Sequence, residues 1–290
     1  MEMNSNTSPV QSSSGTETLL RVAGLSKRYP GFELNDVSFY IDAGTITGFI
    51  GRNGAGKSTT LKSLEGAVHP DGGVIEYFGK PFAGNERSAK LQTGFGLGEA
   101  DYYRTKRLST IAKVTQGFYP NWDATAYAEY CRLFDLDQGK RIMDLSQGMR
   151  VKFTLALALS HRSKLLVLDE PTSGLDPASR EEVLDILLGL AREHGVGVLF
   201  STHITSDLDK CADRIIYLRD GRVVGQGPLG QFKARYEVAS LDEARAYGAE
   251  VLGVRRTAQG DTALVPASAG IGEPATLDDI MTHTVKEVQR

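Results

Sequence analysis

The sequence predicts an α/β protein, a parallel core sheet flanked by helices, and three of its features carry that prediction. A strand, a glycine-rich loop and a helix follow one another in "TITGFIGRNGAGKSTTLKSLEG", Thr45 to Gly66. The apolar run "LLVLDE", Leu165 to Glu170, has the pattern of a strand buried on both faces. From there strands and helices alternate, the order that builds a parallel sheet with helices against it.

Taken in order, residues 1 to 16 are rich in Ser, Asn and Thr and have little to bury, so they read as a disordered leader, with order beginning near Glu17. "TLLRVAGLSKRY", "ELNDVSFYI" and "TITGFIG" read as strands, followed by a helix closing on Gly66. "VHPDGGVIEYFGKPF" reads as a hairpin turning at Asp71-Gly72-Gly73. From about residue 100 to 162 the pattern becomes helical, an insertion into the α/β core. The core resumes with "LLVLDE", a helix around "SREEVLDILLGLARE", the strand "VGVLFSTH", a short helix, and the hairpin "RIIYLRDGRVVGQG" turning at Asp220-Gly221. Residues 231–290 read as a small α+β extension: a helix in "SLDEARAYGAEV", a hairpin around Gly260-Asp261 and a last helix in "TLDDIMTHTVKEV". The expected division is thus 1–16, 17–230 and 231–290.

The 290 residues carry a formal net charge of −3, which gives no electrostatic footprint for nucleic acid, and no nucleic-acid partner is expected. Cys131 and Cys211 stand in no metal-ligand spacing and suit a reducing compartment. No run approaches the roughly 18 apolar residues of a membrane span, and the first residues lack the regions of a signal peptide. Any membrane connection is expected through another chain.

"GRNGAGKST" comprises Gly51, Arg52, Asn53, Gly54, Ala55, Gly56, Lys57, Ser58 and Thr59. Its small residues let successive backbone N–H groups wrap a polyphosphate, with Lys57 reaching the β and γ phosphates, Ser58 on Mg²⁺ and Thr59 nearer the α-phosphate. Asp169 and Glu170 end a buried strand at the sheet edge that carries ligands in open α/β folds. Asp169 suits the Mg²⁺ shell, and Glu170 suits a proton acceptor for attacking water. Asp176 and Pro177 make a good helix start by themselves, and both lie in "PTSGLDPASR" just beyond the acids. His203 ends a later strand where it could contact a γ-phosphate; in isolation it reads as a structural histidine. "LSQGMR", Leu145 to Arg150, opens another helix, capped by Ser146, whose free N–H groups and dipole attract an anion.

These motifs, in this order, resemble the ATP-binding subunit of an ATP-binding cassette (ABC) transporter, over about Glu17 to Gly230. The resemblance implies a P-loop NTPase core of ABC type with an antiparallel β subdomain. It implies that "LSQGMR" is the family's signature, "SGLD" its following loop, and His203 its switch histidine. It further implies that Tyr29, in "SKRYPGF", stacks on adenine, although Tyr29 alone reads as a core residue. Three positions depart from the family pattern: Gln147 and Met149 replace the usual Gly and Gln, and Glu99 stands where a metal-sensing glutamine is common. A carboxylate at Glu99 is chemically able to ligate Mg²⁺, and equally reads as a loop acid. "GFYPNWD", Gly117 to Asp123, and the C-terminal "PATLDDIM" resemble a bacterial drug-export-like subgroup, the Ytr-type proteins among them.

The resemblance implies a head-to-tail pair of ATP-binding subunits, identical or closely related. Each ATP would lie between Gly51–Thr59 of one chain and Ser146, Gln147 and Gly148 of the other, with Asp176 nearby. It also implies a separate transmembrane permease subunit, docked near Glu99 to Trp122, and a peripheral place on the cytoplasmic side of the cell membrane. A soluble ABC ATPase acting on nucleic acid or ribosomes would show long heptad runs or a second cassette, neither of which is present. A small-molecule P-loop kinase would not need "LSQGMR" or "SGLD".

Overall fold

The computed structural model describes residues 16–96, 104–258 and 260–283. Residues 1–15 of the expected leader, the candidate ligand Glu99, and residues 284–288 of the last expected helix lie outside the described residues. The chain begins with β1 (Thr18–Tyr29), β2 (Phe32–Asp42), β3 (Ile46–Ile50), α1 (Lys57–Glu65), β4 (Gly72–Tyr77), β5 (Lys80–Pro81), α2 (Glu86–Leu91) and β6 (Thr93–Gly96). It continues through α3 (Leu108–Gln116), α4 (Ala124–Leu133), α5 (Gln147–Ser160), β7 (Leu165–Asp169), α6 (Pro177–His194), β8 (Gly197–Thr202), α7 (Thr205–Cys211), β9 (Arg214–Arg219) and β10 (Arg222–Pro228). It closes with α8 (Leu229–Lys233), β11 (Tyr236–Ser240), α9 (Leu241–Ala246), β12 (Gly253–Thr257), β13 (Gly260–Pro266), β14 (Glu273–Pro274) and α10 (Leu277–Thr282).

The central sheet has the order β10-β9-β3-β8-β7-β6; all its pairs are parallel except β10 on β9. Every residue of β3 and of β8 is buried, so both faces of the sheet must be covered. The period-2 alternation of a strand divides the coverage. Leu166 and Leu168 of β7 pack with Phe153 and Leu155 of α5 and Leu184 and Leu187 of α6. Leu165 and Val167 pack on the other face with Leu61 and Leu64 of α1 and with Leu20 and Phe39 of the antiparallel sheet β2-β1-β4-β5. Capping sets the helix limits: Gly66 and Gly195 end α1 and α6 in left-handed conformation, φ 80° and 69°.

The expected hairpin at Asp71-Gly72-Gly73 is not formed there. Gly72 and Gly73 open β4, which pairs antiparallel with β1, and the turn comes at Phe78-Gly79 before β5. The glycine serves close approach instead: a Cβ at Gly73 would stand 2.5 Å from the backbone of Gly24. Asp71 is held by Lys27 at 2.7 Å and by the Arg28 amide at 2.8 Å. Edge strand β6 escaped the sequence pattern because two of its four residues are glycines. A Cβ at Gly94 would meet Ala158 Cβ at 2.5 Å, so the glycine admits α5 against the sheet.

Beyond β10 a third sheet runs β12-β13-β11-β14. Thr257 pairs with Gly260, so its hairpin turn precedes Gly260 rather than centring on Gly260-Asp261. Leu264, Ala275, Leu277 and Ile280 join the cluster built on α5, α6 and the central sheet, while Leu241, Ala244, Ala263 and Val265 form a smaller one. Helix α8 spans the expected boundary at 230. Among the described residues no helix is long and apolar enough to cross a membrane.

Candidate active site

Strands β3, β8 and β7 lie side by side, and their carboxyl ends deliver the loop 51–56, His203, Asp169 and Glu170 to one edge of the sheet. The loop needs its glycines. A Cβ at Gly51 would lie 2.3 Å from the Leu218 carbonyl oxygen, and one at Gly56, where φ is 108°, would lie 2.9 Å from Leu34 and Phe32 side-chain atoms. Lys57 is buried and its Nζ donates to the Gly51 carbonyl at 2.7 Å. Burial lowers the Lys57 pKa, against the raising influence of Glu170 and Asp169.

Ser58 Oγ donates to Asp169 Oδ2 at 3.1 Å, joining helix α1 to the end of β7. The other oxygen, Asp169 Oδ1, accepts from Ser201 Oγ of β8. Ser201 also holds the next acid, since the Glu170 amide donates to its Oγ and to its carbonyl, both at 3.1 Å. That amide sits in left-handed backbone, φ 52° at Glu170. His203 Nδ1 lies 2.7 Å from Glu170 Oε2, so a proton on Nδ1 ties the imidazole to the carboxylate and leaves Nε2 for a ligand. Ser201 was missed in the sequence, because its contacts are to Asp169 and Glu170 at the end of the neighbouring strand.

Tyr29 is 38% exposed rather than core, with Lys27 Nζ 5.8 Å from its ring centre. It pairs across the β1–β2 turn with Phe32, whose ring touches the position of a Gly56 Cβ; Phe32 too was missed. Asp176 caps α6, accepting from the Ala178 and Ser179 amides at 3.1 Å. Hydrogen bonds from Ser179 and Ala178 hold its carboxyl below the usual carboxylate range.

At α5, Ser146 Oγ accepts from the Met149 amide at 3.2 Å, and a Cβ on the buried Gly148 would stand 3.3 Å from Ser179 Cβ. Gln147 Nε2 donates to the Ser173 carbonyl at 2.7 Å. Among the described residues no hydrogen bond or ion pair joins Ser146–Gly148 to Gly51–Thr59, so the two anion-attracting helix starts remain separate within one chain. The helical insert and α2 also enclose a groove of about 770 Å³, with Ile111, Val114 and Phe118 on its wall and Arg87, Lys90 and Lys106 around it.

Comparison with known proteins bears on this arrangement. Residues 34–173 match the ABC transporter family model. The uncharacterized ABC transporter ATP-binding protein YhcH of Bacillus subtilis is 32% identical over 213 residues, covering 72% of this chain and 69% of that protein. The chain belongs to the ABC transporter family of ATP-binding proteins. YtrB of Bacillus subtilis, another ABC transporter ATP-binding protein, is 27% identical over 75% of each chain. A Burkholderia cenocepacia protein named for ribose, galactose and methyl galactoside import is 33% identical over 74% of this chain, which spans only 44% of its length. The solved structure of an ATP-binding subunit of an ABC transporter superposes with a TM-score of 0.66 at 28% identity, covering 80% of this chain and 94% of that one. The family match takes in the ABC residues from Gly51 to Ser173, while Tyr29, Asp176 and His203 lie outside it.

Proposed function

We propose that this chain is the ATP-hydrolysing motor subunit of an ABC exporter, acting as a head-to-tail pair on a separate transmembrane permease at the cytoplasmic face of the membrane. One observation carries the reading: Lys57, Ser58, Asp169, Glu170 and His203 converge on one sheet edge, whereas the capped start of α5 is left for a ligand from elsewhere. The Gly51–Thr59 loop of one chain and Ser146–Gly148 of its partner then close on the same ATP, with Tyr29 against the adenine.

Glu170 accepts the proton of a water whose oxygen bonds to the γ-phosphorus as ADP leaves, and His203, oriented by Glu170, stabilises the charge on the phosphoryl oxygens. Ser58 and Asp169 fit Mg²⁺, being a hydroxyl and a carboxylate that already converge at 3.1 Å, with Asp169 oriented by Ser201. When bound, the ion neutralises phosphate charge. Loss of the γ-phosphate removes a ligand that favours the closed pair, which then opens.

The groove beside α3 is the dock for a short helix of the permease, and residues 231–290 form an appended module on a cassette spanning 17–230. Export is favoured by "GFYPNWD" and by "PATLDDIM" in the C-terminal extension, both of which resemble the drug-export-like subgroup. The test is Glu170→Gln. Hydrolysis should fall at least about a hundredfold while ATP binding persists and an ATP-bound dimer accumulates on a sizing column. Turnover at the parental rate removes Glu170 from its role.

A further inference from the structure

Gln147 stands where the family usually has glycine, and its side chain does something glycine cannot. Its amide crosses from the first turn of α5 to donate to the Ser173 carbonyl at 2.7 Å, 26 residues along the chain. The amide of the same Ser173 donates to the Glu170 carbonyl at 3.1 Å. One residue, Ser173, thereby links the start of α5 to the acid at the end of β7 through two consecutive hydrogen bonds. The loop leaves room for this: a Cβ at Gly174, where φ is 70°, would stand 2.7 Å from Gln147 Oε1. Helix α5 is a firm base for such a contact, because Lys152 pairs with Glu182 of α6 and Gly148 packs against Ser179.

We propose that Gln147 is a positioning residue which ties the Glu170–Ser173 turn to the start of α5, so that nucleotide gripped by α5 at one site of the pair adjusts the acid of the other. The inference rests on the head-to-tail motor reading. In that pair the start of α5 serves the ATP held by the partner's loop, while Glu170 serves the ATP held by this chain's own loop. The Gln147–Ser173–Glu170 path therefore runs between two different nucleotides. A displacement of the first turn of α5 is passed to Glu170, whose left-handed backbone depends on what holds it from outside.

Three substitutions separate this role from others. Gln147→Met keeps the length and removes the donor, Gln147→Glu keeps the shape and presents only acceptors, and Gln147→Lys restores a donor. Two measurements are made on each, with the full chain. Hydrogen exchange without nucleotide reads the tether: amides of residues 172–176 should exchange about two- to tenfold faster in Gln147→Met and Gln147→Glu, and return toward the parental rate in Gln147→Lys. Steady-state hydrolysis reads the linkage: in Gln147→Met the Hill coefficient for ATP should fall to 1 and kcat by about two- to tenfold, a larger loss than any change in the affinity of a fluorescent ATP analogue. Unchanged exchange in Gln147→Met overturns the tether and the proposal with it. Weaker analogue binding with kcat and the Hill coefficient intact makes Gln147 a simple nucleotide contact and overturns the proposal. A parental chain without ATPase activity overturns the motor reading, and the linkage with it.

Discussion

Ser201 holds both acids proposed to act on ATP and its metal. Its hydroxyl donates to Asp169 and accepts from the Glu170 amide, and Glu170 adopts a backbone, φ 52°, that costs an ordinary residue about 1 kcal/mol or more. Ser201→Ala removes both side-chain contacts in a buried place. It should cost about 1–3 kcal/mol in stability by urea unfolding and lower ATP turnover about tenfold, with Ser201→Thr recovering most of both. A Ser201→Ala chain with parental turnover would mean that the backbone bond to the Ser201 carbonyl is enough to seat Glu170. The acids themselves were legible in "LLVLDE" because a buried strand ending in two carboxylates is conspicuous. Ser201 was not, since a serine in an apolar strand carries no signal until the neighbouring strand is known.

Helix starts are where sequence and site overlap. Ser146 was legible as the cap of α5, and its hydroxyl does accept from Met149. Capping and anion binding use the same end of the helix but respond differently to charge. Ser146→Ala should destabilise the protein by about 0.5–2 kcal/mol through loss of the cap. Ser146→Asp should keep the melting temperature, because a carboxylate caps well, and yet abolish ATP turnover if the proposed head-to-tail pair forms, by repelling the γ-phosphate of the partner's nucleotide. Hydrolysis surviving in Ser146→Asp would leave the helix start a cap and nothing more. Strand β6 and the β4 register were hidden for the opposite reason. Gly73, Gly94 and Gly96 read as turn or loop in one dimension, and only the approach of β1, α5 and β7 explains why they are small.

Across the whole molecule, α5 connects the candidate site to the groove. It starts at the Ser146 cap and ends at His161, whose ring stacks on Tyr119 of the groove wall at 3.8 Å and 14°. His161 is 3% exposed, and burial pushes its pKa down from 6.5 to about 4. The unfolded chain therefore binds a proton below pH 6.5 that the folded chain refuses. Stability from this group is complete above pH 6.5 and is lost as pH falls toward 4, by about 3 kcal/mol in all. His161→Phe, which keeps a stacked ring, should flatten the fall of melting temperature over that window. An equally steep fall in the variant would assign the acid sensitivity to other groups.

Local chemistry alone determined the loop 51–59, the strand that ends in Asp169 and Glu170, the capped helices at Ser146 and Asp176, and the alternation that makes the core α/β. Each of these depends on spacing, on side-chain type, or on the hydrogen-bonding needs of a helix start, all of which are properties of neighbours in the chain. The tertiary structure decided which carboxyl ends share an edge, that Ser201 and Phe32 stand beside the loop and the acids, and that Gln147 reaches Ser173. Those contacts join residues 24 to 152 positions apart, and no local propensity encodes a partner so far along the chain.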